Sequence, residues 1–336
     1  MFSFFWTKKT VDIGKERSNV ANLALGIAAV TFFTILAQII LVNVLAIVFA
    51  VVLGEEMNLS MTAQMFISSF TMYGVAMPLS MLFFDKCEVH PVEKKRGGLG
   101  LTLCVIPLCF GLTYVGSIIG TLIETISSLL VGKEASNPVA DTVSSIPLWA
   151  VLLFVVILAP IFEEIFFRKI VIDRLRRYGD VPAIVLSGVA FGVIHGNFSQ
   201  FFYAALLGMV FGAVYLHTGK LRFTIFLHML INFMGSFYTT LMMEKFGGEI
   251  PLEITEEIIA KYPQGYAMMN VYSTIYSISF LLAIPALIYL TRVIRPKKGA
   301  VTLDGNQSFR VVFCNLGFWL SLLFLIGNFA LSMIPA

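Results

Sequence analysis

Long stretches of this chain carry no Asp, Glu, Lys or Arg, and they are long enough to cross a lipid bilayer. A transmembrane helix needs about 20 predominantly apolar residues. Such stretches run over 21–53, 60–84, 97–123, 142–162, 181–219, 223–243, 262–291 and 311–336. The stretch 181–219 has room for two crossings and is broken by the polar run Gly196-Asn197-Phe198-Ser199-Gln200. The chain therefore reads as an all-α, polytopic transmembrane helix bundle of about eight to nine spanning helices. Its 58% hydrophobic and 13% charged residues compare with about a quarter charged in a soluble domain. That balance excludes a soluble enzyme, a disordered chain and a nucleic-acid-binding domain. The four cysteines, Cys87, Cys104, Cys109 and Cys314, have no C-x-x-C spacing and read as packing residues.

The distribution of positive charge fixes an orientation. With the N-terminus cytoplasmic, twenty Lys and Arg fall on the inside and only Lys133, Lys245 and Lys261 on the outside. The inside set groups as Lys8, Lys9, Lys15, Arg17; Lys86, Lys94, Lys95, Arg96; Arg168, Lys169, Arg174, Arg176, Arg177; Lys220, Arg222; and Arg292, Arg295, Lys297, Lys298, Arg310. This is a strong positive-inside pattern, and it holds only if 181–219 crosses twice. The first apolar run is too long for a signal peptide and is expected to stay as a helix. The polar connection 244–266 lies outside, and Glu253, Glu256, Glu257, Ile258 and Ile259 suit a short amphipathic helix there.

Ionisable groups are expensive inside a membrane and so mark function. They concentrate between 163 and 232 as Glu163, Glu164, His195, His217 and His228. Arg168 follows Glu164 by four residues, on one helical face, and an interfacial ion pair explains both. Glu163 points about 100° away and is harder to pair, which suits a general base or acid. Pro160 lies just upstream and bends the helix there. His195 shares a face with Phe191, and His228 with Asn232. Alone, either His is packing glue. Together, two carboxylates, two His and an Asn are the groups that activate a water and stabilise an oxyanion, or bind zinc with an open position. His217 reads as interfacial, His90 as a loop residue without signal, and Glu124 as snorkelling from the outer end of the third span. Counted from Arg168 and Arg222, Glu163 and His228 lie roughly 8–9 Å from the cytoplasmic edge, whereas His195 comes out about 20 Å deep.

At these residues the chain resembles the CPBP (Abi) family of CAAX prenyl-endopeptidase and bacteriocin-processing intramembrane proteases. The resemblance rests on Glu163-Glu164-Ile165-Phe166-Phe167-Arg168, on Phe191-Gly192-Val193-Ile194-His195 and on His228-Met229-Leu230-Ile231-Asn232, in order on separate apolar helices. It implies an N-terminal three-span region over 1–144, a catalytic core over 145–243, and an outer loop with two spans over 244–336. It also implies hydrolysis of a membrane-associated peptide or protein. Glu163 and His195 would activate the water, His228 and Asn232 would stabilise the oxyanion, and Glu164 and Arg168 would orient the site. Zinc is the metal it suggests, on Glu163, His195 and His228. The expected setting is a bacterial plasma membrane, or the endoplasmic reticulum in a eukaryote. The competing readings are a non-catalytic membrane adaptor of the same fold that binds a partner protein, and an ion-coupled transporter, against which no inverted repeat is visible.

Overall fold

The computed structural model describes residues 11–54, 56–95, 98–132 and 142–332, and is built of helices. In chain order these are α1 (Ile13–Val52), α2 (Met61–Phe84), α3 (Leu99–Val131), α4 (Leu148–Tyr178), α5 (Asp180–Val193), α6 (Phe198–Thr218), α7 (Leu221–Lys245), α8 (Glu256–Lys261), α9 (Pro263–Val293), α10 (Gly305–Val312) and α11 (Leu316–Leu331). Seven are long and apolar enough to span a membrane, and the pair α10–α11, bent by 62°, makes up to eight. The chain is an integral membrane protein with an all-α fold. Short α8 stands where the amphipathic segment was expected. Polar side chains start several helices: Asp12 accepts from Lys15 N–H, Ser60 from Ala63 N–H, and Asp304 forms a reciprocal box with Gln307. Each satisfies a donor that a helix start leaves without a partner.

The segments read as inside meet at one end of the bundle. Lys15 Nζ donates to Glu88 at 2.8 Å, and Arg177 pairs with both Glu16 and Glu88. Arg176 donates to the His90 and Pro91 carbonyls, and Lys95 N–H to the Thr218 carbonyl. Asn315 Nδ2 donates to the Arg17 carbonyl at 2.7 Å, and Asp180 N–H to the Lys297 carbonyl at 3.0 Å. Five separate stretches of sequence are thereby drawn to one end of the bundle. Of the cations counted above, Lys8, Lys9, Arg96 and Lys133 lie outside the described residues.

The stretch 181–219 forms two helices, but the first is too short to count as a second full crossing. Helix α5 has 14 residues, about 21 Å, against about 30 Å of bilayer hydrocarbon. It ends at Val193, and Gly196, in the left-handed region at φ 68°, turns the chain before Asn197 caps α6. Non-helical backbone at membrane depth is tolerated only where protein or a wet cavity surrounds it. In the turn, a Cβ on Gly196 would meet Asn328 Nδ2 of α11 at 2.5 Å, and α6 packs closely on α5 before it. A Cβ on Gly188 would lie 2.9 Å from the Ala205 carbonyl oxygen, and one on Gly208 would lie 2.9 Å from the Gly188 Cα. Small residues let two helices approach this closely in a membrane.

Three expectations are corrected. Arg168 does not mark a membrane edge: it is fully buried, and α4 continues ten residues further, to Tyr178. Helix α3 likewise runs on to Val131, leaving Glu124 buried within the bundle instead of snorkelling to water. His195 lies two residues beyond the end of α5, in the turn. The first correction brings Glu163 level with His195, while His228, seven residues into α7, stays about 10 Å from the start of its helix. Glu163 is 15 residues before the end of α4, and His195 is 15 after the start of α5. At 1.5 Å per residue both are then about 22 Å from the cytoplasmic ends of their helices.

Candidate active site

The site grows out of an irregular helix. In α4, wide π-turns over Val151–Leu158 and Ile165–Ile172 flank a short α-helical piece, Ala159–Glu164. Wide turns of this kind frequently mark functional sites. In the wide register Ala159 N–H bonds the Phe154 carbonyl. The next carbonyl, that of Val155, falls to Pro160, which has no N–H to give. Asn232 Nδ2 fills the gap, donating to the Val155 oxygen at 2.9 Å. One N–H of Asn232 is therefore spent on holding α4 to α7, and the other remains.

A buried polar chain runs from there. Arg168 grips Glu164 with two bonds, Nε–Oε2 at 2.8 Å and Nη2–Oε1 at 3.2 Å. Its Nη1 donates to Ser187 Oγ at 3.2 Å, and Ser187 Oγ to the Phe167 carbonyl. The rings of Phe191 and Phe211 lie 5.5 and 5.8 Å from the guanidinium. Both partners of this ion pair have no solvent exposure. A pair so buried holds only when its remaining donors and acceptors are satisfied.

His228 links this pair to the second carboxylate. Its Nδ1 lies 3.2 Å from Glu164 Oε1, and its Nε2 lies 3.8 Å from Glu163 Oε2. An ionised carboxylate only accepts, so Nδ1 carries a proton. Nε2 is then an acceptor in the neutral ring and a donor in the imidazolium. The other oxygen of Glu163 accepts from Tyr73 OH of α2 at 3.2 Å, and Tyr73 stacks on Phe162 with centroids 4.9 Å apart.

His195 is oriented by its own turn. Its Nδ1 bonds the Phe191 carbonyl at 2.7 Å. A carbonyl can only accept, so Nδ1–H is the donor and Nε2 is bare, the tautomer suited to taking a proton. Asn197 Nδ2 fixes the backbone by donating to the His195 carbonyl at 2.9 Å. Phe191 sits between the two imidazoles, 5.1 Å from one and 5.5 Å from the other, edge to face.

All six residues singled out in the sequence are drawn to one region of the bundle, through α4, the α5–α6 turn and α7. Sequence reasoning missed Tyr73 and Ser187. Tyr73 is 90 residues from its partner, and nothing in an apolar stretch distinguishes a tyrosine that reaches a carboxylate. Ser187 lies one helical turn before Phe191, and that spacing was the only available hint. His217 stands half-buried in the last turn of α6, and His90 lies in the α2–α3 loop; neither joins the site.

A zinc shell needs three side chains converging at about 2.0–2.2 Å. Among the described residues no three His, Cys, Asp or Glu groups converge in that way, although the bond of His228 Nδ1 to Glu164 leaves Nε2 turned toward Glu163.

With this geometry in hand, likenesses to known proteins can be weighed. Residues 145–234 match the Rce1-like family, described as Type II CAAX prenyl endopeptidase Rce1-like. A Bacillus subtilis (strain 168) protein named "Putative membrane peptidase YdiL" is 30% identical over 105 residues. That stretch covers 30% of this chain and 42% of the relative, so the likeness spans less than half of the relative's length. No solved structure matches. The matched segment contains Glu163, Glu164, Arg168, His195, His228 and Asn232. Over that segment the chain is similar to the Type II CAAX prenyl endopeptidase Rce1-like family and to a bacterial membrane peptidase homologue.

Proposed function

We propose that the chain is an intramembrane endopeptidase of the bacterial plasma membrane, hydrolysing one peptide bond of a membrane-associated peptide or protein. The observation that carries this reading is the pair of differently tethered carboxylates joined by one imidazole. Glu164 is locked by Arg168, whereas Glu163 is held only by a tyrosine hydroxyl and a longer contact to His228. One carboxylate is structural and the other is left to do chemistry, the usual outcome when environments push two acids apart.

Water bound between Glu163 and His195 Nε2 loses a proton to Glu163 as its oxygen attacks the scissile carbonyl carbon. The carbonyl π-bond becomes an oxyanion. His228, as imidazolium with Nδ1–H on Glu164, offers Nε2–H to that oxyanion, and the second N–H of Asn232 is available beside it. Collapse of the intermediate breaks the C–N bond, and Glu163 returns its proton to the leaving amine. Arg168 and Glu164 hold His228 in place and touch no reacting atom. Such proton transfer contributes about 10²–10⁴-fold.

The test is mass spectrometry of peptide termini in membrane and secreted fractions from cells expressing wild type or Glu163→Gln at equal levels. New termini found only with wild type support the reading and identify the substrate. Equal termini, with the wild-type phenotype retained by the variant, favour the adaptor of the same fold.

A further inference from the structure

A groove of about 670 Å³ opens on the flank of the bundle, between α1, α5 and α11. Its walls are apolar: Leu23 and Ile27 of α1, Leu186 and Val193 of α5, Phe318 and Leu322 of α11. Helix α5 thus serves two sides. Its Phe191 packs among the site residues, while Leu186 and Val193 face the groove.

The groove has a polar end and a length. At its cytoplasmic end lie Lys297 and Lys298, on the segment between α9 and α10. Asp180 N–H donates to the Lys297 carbonyl at 3.0 Å, Lys297 N–H to Asp180 Oδ2 at 2.9 Å, and Val301 N–H to the Arg177 carbonyl at 3.0 Å. The segment is therefore fixed, while both lysines are exposed. Among the described residues neither ammonium pairs with a carboxylate, because the nearby Asp180 is taken by Arg176 and by Lys297 N–H. From Pro182 to Val193 the α5 wall covers twelve residues, about 16 Å from first to last, which is half of the roughly 30 Å hydrocarbon thickness.

Two cations at the cytoplasmic surface and a greasy channel one leaflet deep fit an amphiphile with an anionic head. We propose that the groove seats an acyl chain of an acidic phospholipid from the cytoplasmic leaflet, with the headgroup phosphate on Lys297 and Lys298. This proposal is independent of the proposed peptidase activity.

Native mass spectrometry of the whole detergent-solubilised protein tests it, with phosphatidylglycerol and phosphatidylcholine of identical chains as probes. Wild type is expected to retain phosphatidylglycerol roughly 30-fold better, from two lysines at the membrane surface. Lys297→Gln/Lys298→Gln brings the two lipids close to parity, and Leu186→Trp, which fills the groove, displaces both. Inorganic phosphate at millimolar concentration leaves the lipid bound. Equal retention by wild type, or a preference unchanged in the double variant, overturns the proposal. So does lipid retained in full by Leu186→Trp, or displacement by inorganic phosphate, which would mark a bare phosphate site.

Discussion

Two arginine–glutamate clusters anchor this molecule, one within the bundle and one on its cytoplasmic face. Inside, Arg168 and Glu164 are fully buried and form two bonds to each other, and Glu164 Oε1 is shared between Arg168 and His228. At the face, Arg177 bridges Glu16, which is buried, and Glu88, which is half exposed. Glu16 also accepts from Tyr178 OH at 2.8 Å and from Asn19 Nδ2 at 3.2 Å. The residue types are the same; the surroundings differ. Within the bundle, removing one partner strands a charge that no water can reach. At the face, water reaches Glu88, and the hydrogen bonds from Tyr178 and Asn19 still satisfy Glu16. The inner cluster therefore enforces one geometry for His228, while the outer one ties α1, α4 and the α2–α3 loop together.

The comparison breaks most visibly at Arg168. Arg168→Met is expected to cost about 3–5 kcal/mol, because Glu164 is left buried and unpaired. Loss of the folded peak in detergent gel filtration, or a large drop in unfolding temperature, checks this. Arg177→Gln should cost about 2 kcal/mol, between the values for surface and buried pairs. Its unfolding temperature should fall less, and cleavage should persist in the fraction that folds. Tyr73→Phe should keep stability within about 1 kcal/mol and slow cleavage, because Glu163 loses the hydroxyl that aims it; turnover number against KM shows the loss in turnover. Smallest is the response of Glu88. The hydrogen bond from Lys15 and the charges of Arg177 and Lys15 hold its carboxyl below the ordinary value of 4.5. A depressed folded-state pKa gives stabilisation that is present above the unfolded value and lost as the pH falls through the folded one. Melting temperature recorded down to about pH 3 should therefore fall slightly more steeply for wild type than for Glu88→Gln.

Local spacing was readable in the sequence, and depth was not. The four-residue interval from Glu164 to Arg168 became a real ion pair, and Gly196-Asn197 became a real turn with a left-handed glycine and a helix cap. Both features depend on neighbours a few residues away. Arg168 was misplaced at a membrane edge because a charge ordinarily ends a span; its neutralisation by Glu164, Ser187 and two phenylalanine rings comes from three other helical turns. The interval from His228 to Asn232 correctly placed both on α7. The target of Asn232, the Val155 carbonyl left open by Pro160, lies 77 residues away and depends on a wide turn that no periodicity announces. Tyr73 was invisible for the same reason.

The central claim is that His228, fixed by Glu164, completes the chemistry of Glu163. It is tested most directly by counting wild-type-dependent peptide termini in cells expressing His228→Gln, alongside Arg177→Gln, with folded protein matched by gel filtration. The account predicts that His228→Gln folds and loses cleavage by about 10² or more, while Arg177→Gln retains it. Undiminished cleavage by folded His228→Gln would contradict the account.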